Sequence, residues 1–358
     1  MELTAWLLRR TPIRPLVATT VGGTGVRLAA EREIRRRGWR PASNPAEANL
    51  LVVAGPDDPA MAPFVDAVWQ LVPAPHARVH VADAAEVAGA LSAAEARLRS
   101  VDEQRHEEHS DHGADEHTSH DHHEDHSSHN HQIEHTDSEH SAHMDHGHHH
   151  GHDMGEMEMP GGIPMADRAD DRDGLKLDRL TVPLGPVLPA WPSGLLVRTF
   201  LQGDVVQEAI VETVMTPRPG RPAFWDGEAR IAARRLDSCV QLLTVAGWEY
   251  AAVTAARLRD DLLAGQDPGP RLTRWAKQVR RSRVLRWSLT GVGGQAGSGD
   301  AWDRLIRWID EAANPVGEDP AAVLGALPRL LAGAEFATAR LIVASFDPDL
   351  ERVRVAHG

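Results

Sequence analysis

Cysteine and long apolar runs are nearly missing from this chain of 358 residues. Its single cysteine, Cys239, excludes a disulfide framework and any iron–sulfur or zinc site built from the chain's own thiolates. No apolar run reaches the roughly 18 residues that a membrane-spanning helix needs. The formal charge of −14 argues against nucleic acid as a partner, because phosphate contacts require a positive field. The first ten residues place their charges after a short apolar stretch, the wrong order for a signal peptide, which predicts a cytoplasmic protein.

Histidine is abundant, and its distribution accounts for the charge. Residues 106–152, the His tract, hold 18 of the 21 histidines and 12 acidic residues but no lysine or arginine. The rest of the chain is therefore close to neutral. Because the His tract has almost no aliphatic side chains, it cannot bury enough surface to offset its ordering entropy. We predict a disordered linker over residues 101–173, between a first half (1–100) and a second half (174–358) that each form a domain.

The His tract has the composition of a metal-binding segment. Neutral imidazole suits nickel, zinc and copper, and the thioethers that follow it favour Cu(I). The predicted metal ligands are His122, His123, His126, His146, His148, His149, His150, His152, Met154, Met157 and Met159. Many overlapping weak sites indicate buffering or delivery of a divalent metal rather than one catalytic geometry. The alternative is a spacer whose charge responds to pH through its histidines.

The first half alternates the patterns of strands and helices. The short apolar runs Pro15–Thr20, Leu50–Ala54 and Arg78–Ala82 each precede a segment with apolar residues at helical spacing. This βαβαβα order predicts an α/β domain with a small, flavodoxin-like parallel sheet and helices on both faces.

The second half is predicted to be α+β and mostly helical. It begins with expected strands at Leu177–Val182, Leu195–Leu201 and Val205–Val214, the last two joined as a hairpin. Helices are predicted at 229–243, 249–263, 271–289, 301–313 and 321–331, followed by a strand at 341–345. Cys239 falls at an apolar helical position, as the tryptophans mostly do, and these residues are expected in the core.

Two further motifs have a structural and a functional interpretation. The turn Gly22–Gly25 follows a strand, as phosphate loops do, but it lacks the Gly-Lys-Ser/Thr ending and the third Rossmann glycine, which favours a plain tight turn. Arg271–Arg286 contains seven basic residues and no acid, with tryptophans interleaved. A solvated helix face with arginine stems over the core is favoured over docking of an acidic partner or of the acidic tract itself.

Four segments of the first half carry a resemblance: Pro15-Leu16, Ala48–Gly55, Met61–Pro63 and Leu71–Pro75. Through them about 85 residues resemble the B-type iron–sulfur subunit in the peripheral arm of respiratory complex I, a relative of the hydrogenase small subunit. In that family tandem cysteines after the first strand, and a third after the third strand, hold a tetranuclear cluster. The matching positions here are Gly22, Gly23 and Ala85, and the segment that bears the fourth cysteine is missing.

Four motifs of the second half keep their order along about 180 residues: Gly185–Gly194, Arg235–Asp237, Gly299–Arg304 and Ala344–Pro348. They resemble the D-type quinone-pocket subunit of complex I, a relative of the nickel–iron hydrogenase large subunit. The family's two loop histidines and its quinone-contacting tyrosine are replaced by Leu188, Pro192 and Ser238. No Cys-x-x-Cys pair is present to hold nickel and iron.

The resemblance implies a fused paralogue of both subunits, whose halves pack on each other and have lost the chemistry. Electron transfer into quinone needs a cluster within reach, and protonating the quinone needs hydrogen-bonding acid groups. We therefore expect no catalytic residue and no stably bound cofactor. The predicted role is a structural or assembly component among the subunits of a complex I-like or hydrogenase-like assembly, at the inner face of the plasma membrane through those partners. Two alternatives stay open: a nickel, zinc or copper buffering or delivery protein, and an accessory redox subunit of an NADH–quinone oxidoreductase-like complex that borrows a partner's cofactor.

Overall fold

The computed structural model describes residues 10–100, 167–170, 176–216, 222–294, 299–312 and 320–352. The predicted metal ligands, from His122 to Met159, lie outside the described residues, as does nearly all of the predicted linker. The described residues of the two halves belong to one compact unit.

The first half contains three strands that alternate with three helices, as its sequence predicts. Their bounds are β1 Pro15–Thr19, α1 Thr24–Arg36, β2 Leu50–Ala54, α2 Ala62–Trp69, β3 Ala77–Val81 and α3 Val87–Arg99. The strands form a parallel sheet in the order β1-β2-β3. A flavodoxin-like order would place the first strand between the other two, so this finer prediction is not confirmed.

The central strand β2 is buried at every position, as its unbroken apolar run predicts for a parallel sheet. Its even-numbered residues face a core that includes Ile34 of α1 and Leu91 of α3. Its odd-numbered residues face a second core, around Val65 of α2 and Met61, which directly precedes that helix. Helices therefore cover both faces of the sheet, as expected.

The second half combines an antiparallel sheet with seven described helices. The strands are β4 Asp167–Asp170, β5 Lys176–Leu184, β6 Leu195–Gln202 and β7 Val205–Thr213, paired in sequence order. The helices are α4 Glu228–Val245, α5 Glu249–Leu263, α6 Gly269–Arg281, α7 Arg283–Leu289, α8 Ala301–Glu311, α9 Pro320–Leu331 and α10 Phe336–Phe346. The predicted hairpin is confirmed as β6–β7, and Gly203 in its two-residue turn has a φ of +60°. β4 lies inside the stretch predicted as linker.

Two predictions for the helical part are wrong. The strand expected at 341–345 is the second part of α10, whose residues Ile342 and Val343 are buried in the core of the second half. A short apolar run does not distinguish a buried helix from a strand. The single helix expected over 271–289 is divided, because Ser282 has an extended backbone and its Oγ accepts a hydrogen bond from the Leu285 N–H at 3.3 Å.

The helices of the second half enclose a core that contains Leu236, Cys239, Trp275 and Trp308, all fully buried. The core placement predicted for Cys239 is thereby confirmed. Among the described residues, none of the helices combines the length and the apolar composition needed to cross a membrane.

Candidate functional site at the junction of the two halves

Several segments of the chain meet around a polar cavity of about 40 Å³ between the two halves, large enough for a few water molecules. They are the start of α1, the loop between β5 and β6, the segment before α4, α4 itself and the chain after α10. The lining residues are Thr24, Arg27, Trp191, Pro192, Ser193, Trp225, Arg234, Asp237, Gln241, Asp347, Pro348, Asp349, Leu350 and Glu351.

One side of this cavity adjoins a buried set of charges that we name the junction cluster: Arg27, Glu31, Asp237 and Arg259. Asp237 of α4 accepts hydrogen bonds from Arg27 Nη2 of α1 and from Arg259 Nη1 of α5, both at 2.6 Å. Glu31 accepts a hydrogen bond from Arg27 at 2.7 Å and lies 3.0 Å from Arg259. Two arginines and two carboxylates thus compensate each other's charge where the side chain of Arg259 is fully buried.

Burial and charge act in opposite directions on the carboxylates of the junction cluster. Burial alone would raise the pKa of Asp237, but Arg27 and Arg259 hold it well below its ordinary value. The pKa of Glu31 is lowered in the same way, with burial opposed by the same two arginines. Both carboxylates are therefore ionised at neutral pH, and the cluster is a set of ion pairs rather than a proton-transfer site.

The α1 helix presents this charged face because of its residue spacing. Arg27, Glu31 and Arg35 recur every fourth residue and so lie on one stripe of the helix. Arg35 donates a hydrogen bond to Asp260 of α5 at 2.5 Å, which extends the contact along the helix. Beside the charges, Leu28 packs in a small apolar cluster with residues of the second half. A charged stripe next to an apolar stripe on α1 indicates from the sequence that this helix contacts another part of the chain, but it does not identify which part.

The C-terminal segment covers the start of α1. Glu351 accepts hydrogen bonds from the Thr24 N–H at 3.0 Å and from the Phe224 N–H at 2.9 Å. A carboxylate there satisfies free backbone donors and the positive end of the helix dipole, as a phosphate would in a phosphate loop. The anion position expected of such a loop is thus occupied by the chain's own side chain.

The glycines of the turn after β1 are explained by packing. Gly22 has a φ of +93°, which favours glycine. A Cβ on Gly23 would overlap the carbonyl oxygen of Ala54 and lie 2.7 Å from the Cα of Gly55. The tight-turn interpretation of this segment accounts for both glycines.

Three of the six positions where the resemblance implies lost cofactor ligands lie at or beside the cavity. Pro192 lines it, while Gly23 and Ser238 directly adjoin the lining residues Thr24 and Asp237. Ser238 is buried, and its Oγ donates a hydrogen bond at 3.2 Å to the carbonyl oxygen of Arg234, one turn earlier in the same helix.

The other three positions are not among the lining residues. Gly22 is next to Gly23 in the turn, and Leu188 packs against the core of the second half. Ala85 is exposed in a short 3-10 turn after β3, where its N–H donates a hydrogen bond to Asp83 at 2.9 Å.

Two of the motifs in the second half contact each other directly. Arg304 is buried and donates hydrogen bonds to Ser345 Oγ and to the Gly299 carbonyl oxygen, each at 2.7 Å. Its guanidinium also lies over the ring of Phe346, 3.9 Å from the centroid. These motif residues thus have a structural role, because their contacts hold the loop before α8 against the end of α10.

Arg234 and Asp349 are cavity residues that sequence reasoning did not single out. Arg234 donates hydrogen bonds to the side chain of Asp347 at 2.5 Å and to its carbonyl oxygen at 2.6 Å. Burial raises the pKa of Asp349, against the opposing effect of Arg234. Asp349 Oδ2 is buried without a hydrogen-bond partner among the described residues. The proton affinity of the Asp349 carboxyl group is therefore raised in this cavity.

No family model, curated protein or solved structure matches this chain. Within the described residues, histidine, cysteine, aspartate and glutamate do not form a group of three or more that could hold a metal ion.

Proposed function

We propose that the protein is a non-catalytic structural or assembly component related to the B-type and D-type subunits of complex I or to their hydrogenase counterparts. The observation that carries this proposal is the meeting of two loops at one cavity. Thr24 belongs to the turn that resembles the cluster loop, Pro192 belongs to the loop that resembles the quinone loop, and both line the same space. A junction of this kind is what a fusion of two subunits that pack on each other would produce.

The small volume of the cavity and the hydrogen bonds around it support the proposal that the protein binds no quinone. Pockets for small organic molecules usually measure about 300–1,000 Å³. The space here is about 40 Å³. Its surroundings are tied together by hydrogen bonds from Arg27 to Asp237, from Arg234 to Asp347 and from Thr24 to Glu351. A quinone head group would have to break several of these contacts to enter.

The turn after β1 supports the same conclusion for the iron–sulfur cluster. A thiolate ligand at position 23 needs a Cβ, and that atom would overlap the Ala54 carbonyl oxygen. The chain lacks the cysteine ligands, and the packing of the backbone also leaves no room for a cysteine side chain at position 23. In the proposed role, the protein is held at the inner face of the plasma membrane by its partner subunits.

Purification of the tagged protein from its host, with quantification of the chains that co-elute, tests this function. We expect oxidoreductase subunits in stoichiometric amounts, and loss of their assembly when the gene is deleted. A monodisperse protein without an oxidoreductase partner contradicts the proposal.

Complementation of the deletion separates a structural from a redox role. Asp349→Asn removes a cavity carboxyl group whose pKa is raised by burial and keeps the shape of the side chain, so we expect assembly and turnover of the complex to be restored. If assembly returns but turnover does not, Asp349 takes part in chemistry, and the accessory redox subunit becomes the better description.

A second function, buffering or delivery of nickel, zinc or copper, is favoured by the 18 histidines of the His tract. Equilibrium dialysis of the full chain should give several ions bound per chain at micromolar or lower free metal. A variant with all the tract histidines replaced by asparagine keeps the 12 carboxylates and should lose this binding. Affinities no tighter than millimolar in the native chain would leave the tract a spacer.

A further inference from the structure

The helices α6 and α7 carry seven basic side chains on the surface, all of them exposed: Arg271, Arg274, Lys277, Arg280, Arg281, Arg283 and Arg286. Two of them are paired, Arg271 with Asp261 at 2.8 Å and Arg280 with Asp310 at 2.5 Å. The other five form no ion pair with any residue in the part of the chain that the structure describes. This concentration of uncompensated charge stands out in a protein whose net charge is −14.

Three of these unpaired cations line an open groove of about 600 Å³ together with polar and aromatic neighbours. The lining residues are Trp248, Arg274, Lys277, Gln278, Arg281 and Ser282. Arg274, Lys277 and Arg281 recur at helical spacing, so one face of α6 forms the positive side of the groove.

Two large apolar side chains on α7, the helix that follows the groove residue Ser282, are exposed to solvent. Trp287 is 83% exposed and Val284 is 77% exposed, and their spacing of three residues puts them on one side of the helix. The core placement expected for the tryptophans is therefore wrong for Trp287. A solvated helix face would carry arginine stems over apolar surface, whereas here the apolar side chains themselves are uncovered.

We propose that this α6–α7 surface docks an acidic segment of another protein, with Trp287 as its apolar anchor and the groove cations paired to carboxylates. Tryptophan and arginine are the residues that most often dominate the energy of protein interfaces. Six of the seven cations are arginines, whose planar guanidinium matches a carboxylate with two hydrogen bonds. A projecting peptide segment fits into the groove and can reach its cations, whereas the flat surface of a bilayer would leave the cations of the groove without an anionic partner. The inference is independent of the relation to complex I.

Fluorescence anisotropy with the full-length protein tests the docking surface. The probe is a fluorescein-labelled amphipathic helical peptide of glutamate and leucine, and the control peptide has glutamine in place of glutamate. We expect the acidic peptide to bind, more weakly as salt is added, and the glutamine peptide to fail. Failure of the acidic peptide to bind overturns the proposal.

Matched variants locate the binding. The groove variant Arg274→Gln/Lys277→Gln/Arg281→Gln should weaken the acidic peptide about tenfold, since an exposed ion pair contributes roughly 0.2–1 kcal/mol. Trp287→Ala should weaken it about 30-fold, as expected of an interface anchor. The control variant Arg32→Gln/Arg257→Gln/Arg329→Gln removes the same charge from exposed positions elsewhere and should stay within about twofold.

Several outcomes would overturn the proposal. Equal losses in the groove and control variants would mean that only net charge matters, and unchanged binding by Trp287→Ala would remove the anchor. Trp287-dependent binding to phosphatidylglycerol vesicles in preference to the peptide would make the surface a lipid-binding one. If the groove variant fails to fold, Arg281→Glu reverses the charge of one exposed groove side chain and should alone weaken the peptide about fivefold.

Discussion

Removing the charge of Asp237 should destabilise the whole protein, because the junction cluster holds the two halves together. In Asp237→Asn the side chain keeps its shape but loses the charge that faces Arg27 and Arg259, each with a hydrogen bond of 2.6 Å. Glu31 remains as a carboxylate shared by the two arginines, and of these two only Arg259 also contacts Asp260, which is paired with Arg35 as well. One buried positive charge is then poorly compensated.

The expected cost is large compared with that of a surface ion pair. Breaking a buried pair by removing one partner costs about 3–5 kcal/mol. The matched control is Asp310→Asn, the same chemical change in the exposed pair with Arg280, where we expect about 1 kcal/mol or less. With an m-value of about 3 kcal/mol per molar urea, the Asp237 variant should unfold at a urea concentration roughly 1–1.7 M lower.

Urea denaturation followed by tryptophan fluorescence measures both variants against the native chain. Tryptophans lie in both halves, at Trp69 near the sheet and at Trp275 in the helical core, so separation of the halves before unfolding would appear as two transitions. Equal midpoints for the Asp237 and Asp310 variants would refute the reasoning, because the cluster would then behave as a solvated set of charges.

Four other results are expected. The folded protein holds the pKa values of Asp237 and Glu31 below their ordinary values, so the stabilisation from these carboxylates is present above about pH 4 and is lost as the pH falls through the folded pKa values. The urea midpoint should therefore decrease from pH 5 to pH 3, and it should decrease less steeply in Asp237→Asn. Gly23→Ala should lower the free energy of unfolding by about 1–3 kcal/mol through overlap with Ala54, and an unchanged midpoint would argue against the close packing of the turn. Burial raises the pKa of the Cys239 thiol, so a thiol reagent should label the chain only as fast as it unfolds, and rapid labelling of the native protein would contradict this placement. Anaerobic iron–sulfur reconstitution should give a colourless protein, both for the native chain and for Gly22→Cys/Gly23→Cys; visible cluster absorbance in the native chain would favour the redox alternative.

Local patterns predicted most of the fold because they record burial directly. The run Leu50–Ala54 is a central strand since every one of its residues is buried, and the bounds predicted for α5 match the structure. The errors occur where neighbours decided the outcome. The run at 341–345 is helical because it continues α10 within the core of the second half. The break at Ser282 depends on one side chain capping the following helix.

The candidate site was less predictable than the fold, because its residues are far apart in the chain. Arg27 and Asp237 are 210 residues apart, and Thr24 and Glu351 are 327 apart. The spacing of Arg27, Glu31 and Arg35 places them on one face of a helix, but it does not identify the residues that they contact. Asp349 carried no sequence signal at all, since its raised pKa comes from burial at the junction.

The sequence by itself determined which chemically functional side chains the protein contains and where they lie along the chain. One cysteine, a His tract that holds nearly all of the acidic excess, and the adjacent glycines Gly22 and Gly23 follow from composition and position alone. Only the tertiary structure decided which charges meet, that Glu351 covers the start of α1, and that Trp287 is exposed while Trp275 is buried. The physical reason is that apolar periodicity reports the burial of a segment on average, whereas the pairing of charges and the exposure of one side chain depend on neighbours that folding brings together.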